Sequence, residues 1–165
     1  MKKYISCVLL TAMLVMTSAC TAADTSQDTD SDISISRLQE TMLEADTTLP
    51  EMTLISSEDE KAELNFTSLA DVSYDIIDAY FYAYASEGTA EEIAVIRLKD
   101  KNDASSLMDA LHEHIDRRKG TFQEYDPEQV NMTEQAVGTR HGNYIALIIC
   151  SKNGMVQKAF QSCFE

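Results

Sequence analysis

The feature that most constrains the fold of this chain is a switch in hydrophobic period. Residues 76–85 read "IIDAYFYAYA", with Ile77, Ala79, Phe81, Ala83 and Ala85 on one side and Asp78, Tyr80, Tyr82 and Tyr84 on the other. That alternation is the period of a strand with one face on a core and one more polar face. Ser86-Glu87-Gly88-Thr89 predicts a turn, and "EIAVIRLK" at 92–99 its antiparallel partner. The period then lengthens: Ala104, Leu107, Met108, Leu111, Ile115 and Phe122 make one helical stripe behind Asn102 or Asp103 as cap. Gly120 would fray this helix before Pro127 ends it. Residues 134–140 and 144–150 are extended again, joined by "HGN", where Gly142 and Asn143 tolerate the positive φ of a hairpin turn. The run "YIALIIC" is apolar on both faces and belongs in the middle of its sheet. Residues 154–164 close as a helix with Met155, Val156, Ala159, Phe160 and Cys163 inward.

Upstream, Ile35, Leu38 and Met42 recur at helical spacing behind Ser34 or Ser36, predicting a short helix that ends near Asp46. Pro50 breaks any regular element beyond it. Ser57-Glu58-Asp59-Glu60 has the form of a capping box, which predicts a second short helix toward Leu69. The fold class is therefore α+β: an antiparallel four-stranded sheet in ββαββα order with helices packed against it, plus two short N-terminal helices.

The first 32 residues obey different rules. Lys2 and Lys3 precede an apolar run over 4–16, shorter than the ~20 residues a membrane span needs but right for a signal-peptide core. Thr17, Ser18 and Ala19 lead into Cys20 and resemble the bacterial lipobox, with Thr17 where that pattern prefers Leu. Cys20 is thus the expected lipidation site, carrying a diacylglycerol anchor. The alternative is an ordinary secretory peptide cut nearby; in both cases residues 1–19 leave the mature protein. Residues 21–32, "TAADTSQDTDSD", have too little apolar surface to offset chain entropy. Their aspartates lack the Gly and Glu spacing of an EF-hand loop. The organisation expected is a signal peptide over 1–19, a lipidated cysteine and acidic linker over 20–32, and one α+β domain over 33–165. The expected location is the outer face of the cell membrane.

Some 130 residues suffice for one domain with its own core. The formal charge is −15, and loss of Lys2 and Lys3 makes the mature chain more acidic still. Such a balance argues against nucleic acid as a partner and against lying flat on anionic lipid. Cys150 and Cys163 remain after the signal and anchor are set aside. With Cys150 ending a strand and Cys163 ending the helix that folds back, about ten residues at ~1.5 Å each separate them, beyond disulfide reach. Both are read as small buried side chains.

The stretches "TAEEIAVIRLKDKNDASSLMDALHEHIDRRKGTFQEYDPEQV" and "AVGTRHGNYIALIIC" are similar to the domain of unknown function 4358 family of small bacterial lipoproteins, over roughly residues 60–164. That family shares "ADEIAVF"-type strands, a helix running to "SFxxYxPxEV" and a "GNYV"-type final strand. Thr121-Phe122 replaces the usual Ser-Phe, and His141 stands where Lys is commoner. The resemblance implies a surface lipoprotein and carries over no functional residues, because the family has no assigned activity.

Chemistry-bearing patterns are sparse. In "HEHID", Asp116 replaces the second His of a zinc-protease motif, and His112 and His114 are two apart, on different helix faces. A solvated helix face is the reading preferred to a metal site. His141 lies in a turn without an evident partner. No GxSxG, P-loop, GxGxxG or Cys-x-x-Cys occurs. Glu87, Glu91 and Glu92 are close in sequence, as chance predicts in so acidic a chain. The sequons at Asn65 and Asn131 mean little in a bacterial lipoprotein. No catalytic residue, metal or cofactor is therefore expected. The candidate binding face is the row Tyr80, Tyr82 and Tyr84, bordered by Arg97 and Lys99 on the neighbouring strand. A covered face is the competing account of that row.

Three functions compete. A non-catalytic binding or interaction module with an envelope protein or peptide partner is preferred. A small cell-envelope-acting enzyme, with a pocket uniting His141 and distant acids, is the alternative. A structural envelope protein without a discrete ligand is the third.

Overall fold

Five strands pair in the order β1-β2-β3-β5-β4, every neighbour antiparallel. In chain order the elements are α1 (Ile35–Glu44), β1 (Met52–Ser56), α2 (Ala62–Phe66), β2 (Ile77–Ala85), β3 (Glu92–Leu98), α3 (Ala104–Tyr125), α4 (Val130–Glu134), β4 (Val137–His141), β5 (Tyr144–Ile149) and α5 (Asn153–Ser162). This computed structural model describes residues 32–165. The expected signal peptide, Cys20 and all of the linker except Asp32 lie outside the described residues.

The α+β class with an antiparallel sheet is as expected, but the sheet has five strands and not four. The extra one, β1, pairs Met52 with Ala85 through Ser56 with Phe81. It is short and half-buried, and draws its regularity from the long edge of β2. The capping box beyond it does not form. The Ser57 hydroxyl accepts instead from the Tyr80 amide at 3.3 Å, and the Asp59 carboxylate accepts from the Ser56 amide at 2.8 Å. The chain is then helical only over Ala62–Phe66.

Both sheet faces are covered, giving three layers. Helices α1 and α5 lie on one face, where Leu38, Met42, Phe81, Ile93, Val95, Ile148, Val156 and Phe160 form a core. Helices α2 and α3 lie on the other with Phe66, Leu69, Tyr80, Tyr82, Ile96, Leu107, Leu111 and Leu147. The tyrosine side of β2 is thus a second core face, because the stripe on α3 needs an apolar partner and the aromatic rings supply it. Each fully buried large side chain contributes about 1.5–3 kcal/mol.

Four local details differ from the expectation. A bulge between Ile77 and Ala79 moves Ile77 onto the tyrosine side and leaves Asp78 beside Arg97. Helix α3 runs through Gly120 to Tyr125; a Cβ there would meet nothing within 4 Å, so the glycine costs propensity without ending the helix. Glu134 ends α4 and the strand starts only at Val137, with Gln135 and Ala136 between them, and Met155 is exposed. Gly142 takes φ +55° in the β4–β5 hairpin, the left-handed backbone that favours glycine. Cys150 and Cys163 are free and buried; burial pushes the Cys150 thiol up to about 11.

Candidate functional site

The register of β2 on β3 sets Tyr84 opposite Glu92, Tyr82 opposite Ala94 and Tyr80 opposite Ile96. Glu92 is the first residue of β3, and its carboxylate points under α3. His114 and Arg118 stand one helical turn apart on α3, at the i, i+4 spacing that puts both on one side. They close on the same carboxylate: His114 Nε2 is 2.6 Å from Glu92 Oε2 and Arg118 Nε is 2.5 Å from Oε1. The second contact is an ion pair whose N–H is not aligned for a hydrogen bond. Glu92 is 1% exposed and His114 4%. A carboxylate so placed loses its hydration and is tolerated only when paired on both oxygens.

Arg118 is itself held. Its Nη2 donates to the Thr89 carbonyl at 3.1 Å, and its guanidinium lies 4.6 Å from the centroid of the Phe122 ring, four residues further along α3. Tyr82 meets the His114 ring edge-on at a centroid distance of 6.3 Å and leans on Tyr84 at 5.3 Å. Burial, with the Glu92 carboxylate next in importance, pushes the Tyr82 phenol far above its ordinary value.

Above this cluster opens a cleft of about 530 Å³. Its walls are Ile55 from β1, Leu64 from α2 and Tyr84 from β2; its floor is Tyr82, Glu92 and His114, with Arg118 at one side. It exists because α2 is a single short helix lying over one end of the sheet. Leu64 is 66% exposed there.

Of the four expected site residues, Tyr82 and Tyr84 are brought together at the cleft, and Tyr80 and Arg97 are not. Tyr80 is fully buried: its hydroxyl donates to the Ala62 carbonyl at 2.7 Å and its ring meets Phe66 and Tyr74 edge-on, so it pins α2 to the sheet. Tyr82 is core at the cleft floor, and only Tyr84 of the three is half-exposed. Arg97 projects from the opposite face of the sheet, bound to Asp32 at 2.6 Å and Asp78 at 2.5 Å. Lys99 donates to the Asp75 carbonyl. His141 stacks on Phe164 at 4.1 Å rather than joining acids. His112 and Asp116, expected on a solvated helix face, are exposed, while His114, two residues from His112, is buried.

Glu92, His114 and Arg118 escaped the sequence analysis as a group. The available signal was a charged residue at an inward register position of an apolar strand, with a histidine and an arginine at i, i+4 on the helix that crosses it. Among the described residues no group of three or more His, Cys, Asp or Glu side chains is placed to hold a metal, and no helix is long and apolar enough to cross a membrane.

The model of the family described as Domain of unknown function (DUF4358) matches residues 54–150. The chain belongs to that family. The DUF4358 match begins inside β1 and ends just past β5, so it holds nearly all of the sheet, α2, α3 and every residue of the cleft. Helices α1 and α5, which close the opposite face, lie outside it. No curated protein and no solved structure matches the chain.

Proposed function

We propose that this DUF4358 protein is a lipid-anchored binding module on the outer face of the cell membrane, with Cys20 as the anchored residue and residues 21–32 as the tether. The ligand site is the cleft bounded by Leu64, Ile55 and Tyr84. One observation carries this reading: the cleft is preformed, with an apolar wall and a polar floor whose charged groups are already paired, so a ligand meets a site with little ordering left to do. The envelope partner or peptide foreseen for the tyrosine row is assigned to Tyr84 and its neighbours in the cleft. The acidic balance argues against nucleic acid as the partner.

Two measurements test the reading separately. Cys20→Ser should move the protein from the membrane fraction to the soluble one; an unchanged distribution contradicts the anchor. A photo-crosslinking residue at position 64, in cells, should capture one dominant ligand that is lost in Tyr84→Ala, whereas the same residue at exposed position 158 on α5 should not. Equal capture from both positions contradicts the cleft.

A second reading, a small enzyme acting on envelope material, is favoured by the contact of Glu92 with His114 at the cleft floor, a pairing suited to moving a proton. It requires that a captured ligand be turned over, and that His114→Gln abolish turnover while the ligand still binds.

A further inference from the structure

The cleft has a chemical sign, which rests on its being a ligand site as proposed above. Arg118 at its side offers donors, and its floor has no vacant carboxylate. Both oxygens of Glu92 are occupied, one by His114 and one by Arg118, and the carboxylate is 1% exposed. A cationic ligand group would find no free carboxylate there, since among the described residues Glu92 is the only acid lining the cleft.

Arg118 has capacity left over. Its Nη2 serves the Thr89 carbonyl and its Nε faces Glu92, while Nη1 has no partner among the described residues. Its side chain is 27% exposed. The guanidinium is fixed in place by these contacts and by the Phe122 ring beneath it, so the remaining N–H groups point from a preorganised fork. Such a fork recognises planar oxyanions, carboxylates above all. The apolar side of the ligand is specified as well, because Leu64, Ile55 and Tyr84 form the opposite wall. The size, about 530 Å³, falls within the ~300–1,000 Å³ of small-molecule sites. The chain around it carries a formal charge of −15, which opposes polyanions more strongly than a ligand with a single negative charge.

We infer that the cleft binds a carboxylate joined to an apolar or aromatic group, the carboxylate at Arg118 and the apolar group against Leu64 and Tyr84. Two sources present that chemistry: the C-terminal apolar residue of a peptide, and a free apolar acid.

The test is an NMR titration of the purified full-length protein in detergent micelles with N-acetyl-phenylalanine, its amide, and the peptide acetyl-Gly-Gly-Phe with a free C-terminus. The acid should bind saturably, shifting the Leu64 methyl and Arg118 side-chain signals, and the amide roughly tenfold more weakly, as loss of a charge-assisted hydrogen bond requires. Arg118→Gln should abolish the preference for acid over amide, Arg118→Lys should retain part of it, and Leu64→Ser should weaken both ligands. Tighter binding of the peptide than of the free acid assigns the ligand to a chain terminus; the reverse assigns it to a free acid. If the amide binds as well as the acid, or the acid preference survives Arg118→Gln in a folded protein, the carboxylate inference fails while the cleft stands. If Arg118→Gln does not fold, the acid–amide comparison on the unaltered protein still decides. If neither ligand shifts a cleft residue up to saturating concentrations, the carboxylate inference fails, and capture from position 64 then decides the cleft separately.

Discussion

The two faces of this sheet use the same strands and end differently. On the α1/α5 side, two ten-residue helices lie over aliphatic and aromatic side chains that close into a core. On the α2/α3 side, one long helix and one of five residues must cover a row of tyrosines, and the short one leaves a cleft. Each side buries one acid: Asp46 lies just past α1, held by Thr48 and Lys152, and Glu92 lies at the cleft floor, clamped by two residues of α3. The α1 side also has a cavity, of about 390 Å³ between Ile35, Gln39 and Arg97, but the proposed ligand site is the incompletely covered aromatic face, whose helices the DUF4358 match contains while it leaves out the other's.

The largest expected effect tests closure of the α1/α5 side. Phe160, fully buried there, should cost about 3–5 kcal/mol on substitution by Ala, read as a loss of unfolding free energy in urea. Glu92→Gln probes the other side. It keeps the shape and removes the charge that His114 and Arg118 share, and it should cost about 1.5–3 kcal/mol; a neutral result would mean that the ion cluster does not hold α3 in place.

Asp46→Asn should cost about 1 kcal/mol at neutral pH. Burial alone would raise the Asp46 pKa, but the Thr48 amide and hydroxyl at 2.9 and 2.5 Å and Lys152 at 3.5 Å outweigh it and hold the carboxyl below its ordinary 3.8. A depressed carboxylate pKa stabilises the fold above the unfolded value and loses that contribution as pH falls through the folded one. The difference between the two proteins should therefore be constant from pH 7 to about 5 and shrink below pH 4; a difference that grows in acid contradicts the pairing. The smallest effect belongs to the open face: Leu64→Ser should change stability by no more than ~0.5 kcal/mol, separating the cleft wall from the core.

Much of this fold was legible locally. The alternation in 76–85, the two-sided apolar run ending at Ile149 and the stripe of Leu107 and Leu111 each identify an element by its own period. β1 was not legible, because Met52–Ser56 is an edge strand that owes its conformation to pairing with β2. Ser57 was misread for a similar reason: its hydroxyl is engaged by the Tyr80 backbone, a contact 23 residues away in sequence. The tyrosine row was found, but its environment depends on which helix covers it, and the bulge at Asp78 is invisible to a period count. Glu92, His114 and Arg118 become a site only once α3 is known to cross β3, a relation between elements rather than a pattern within one.

The most direct measurement of the central claim is a map of where small ligands bind: methyl and amide NMR shifts of the full-length protein against a library of apolar and aromatic fragments. Saturable shifts gathered at Ile55, Leu64, Tyr84 and Arg118, with α1 and α5 silent, are the expected result. Shifts gathered on α1, α5 or around Arg97 would contradict the assignment of the ligand site to the incompletely covered face.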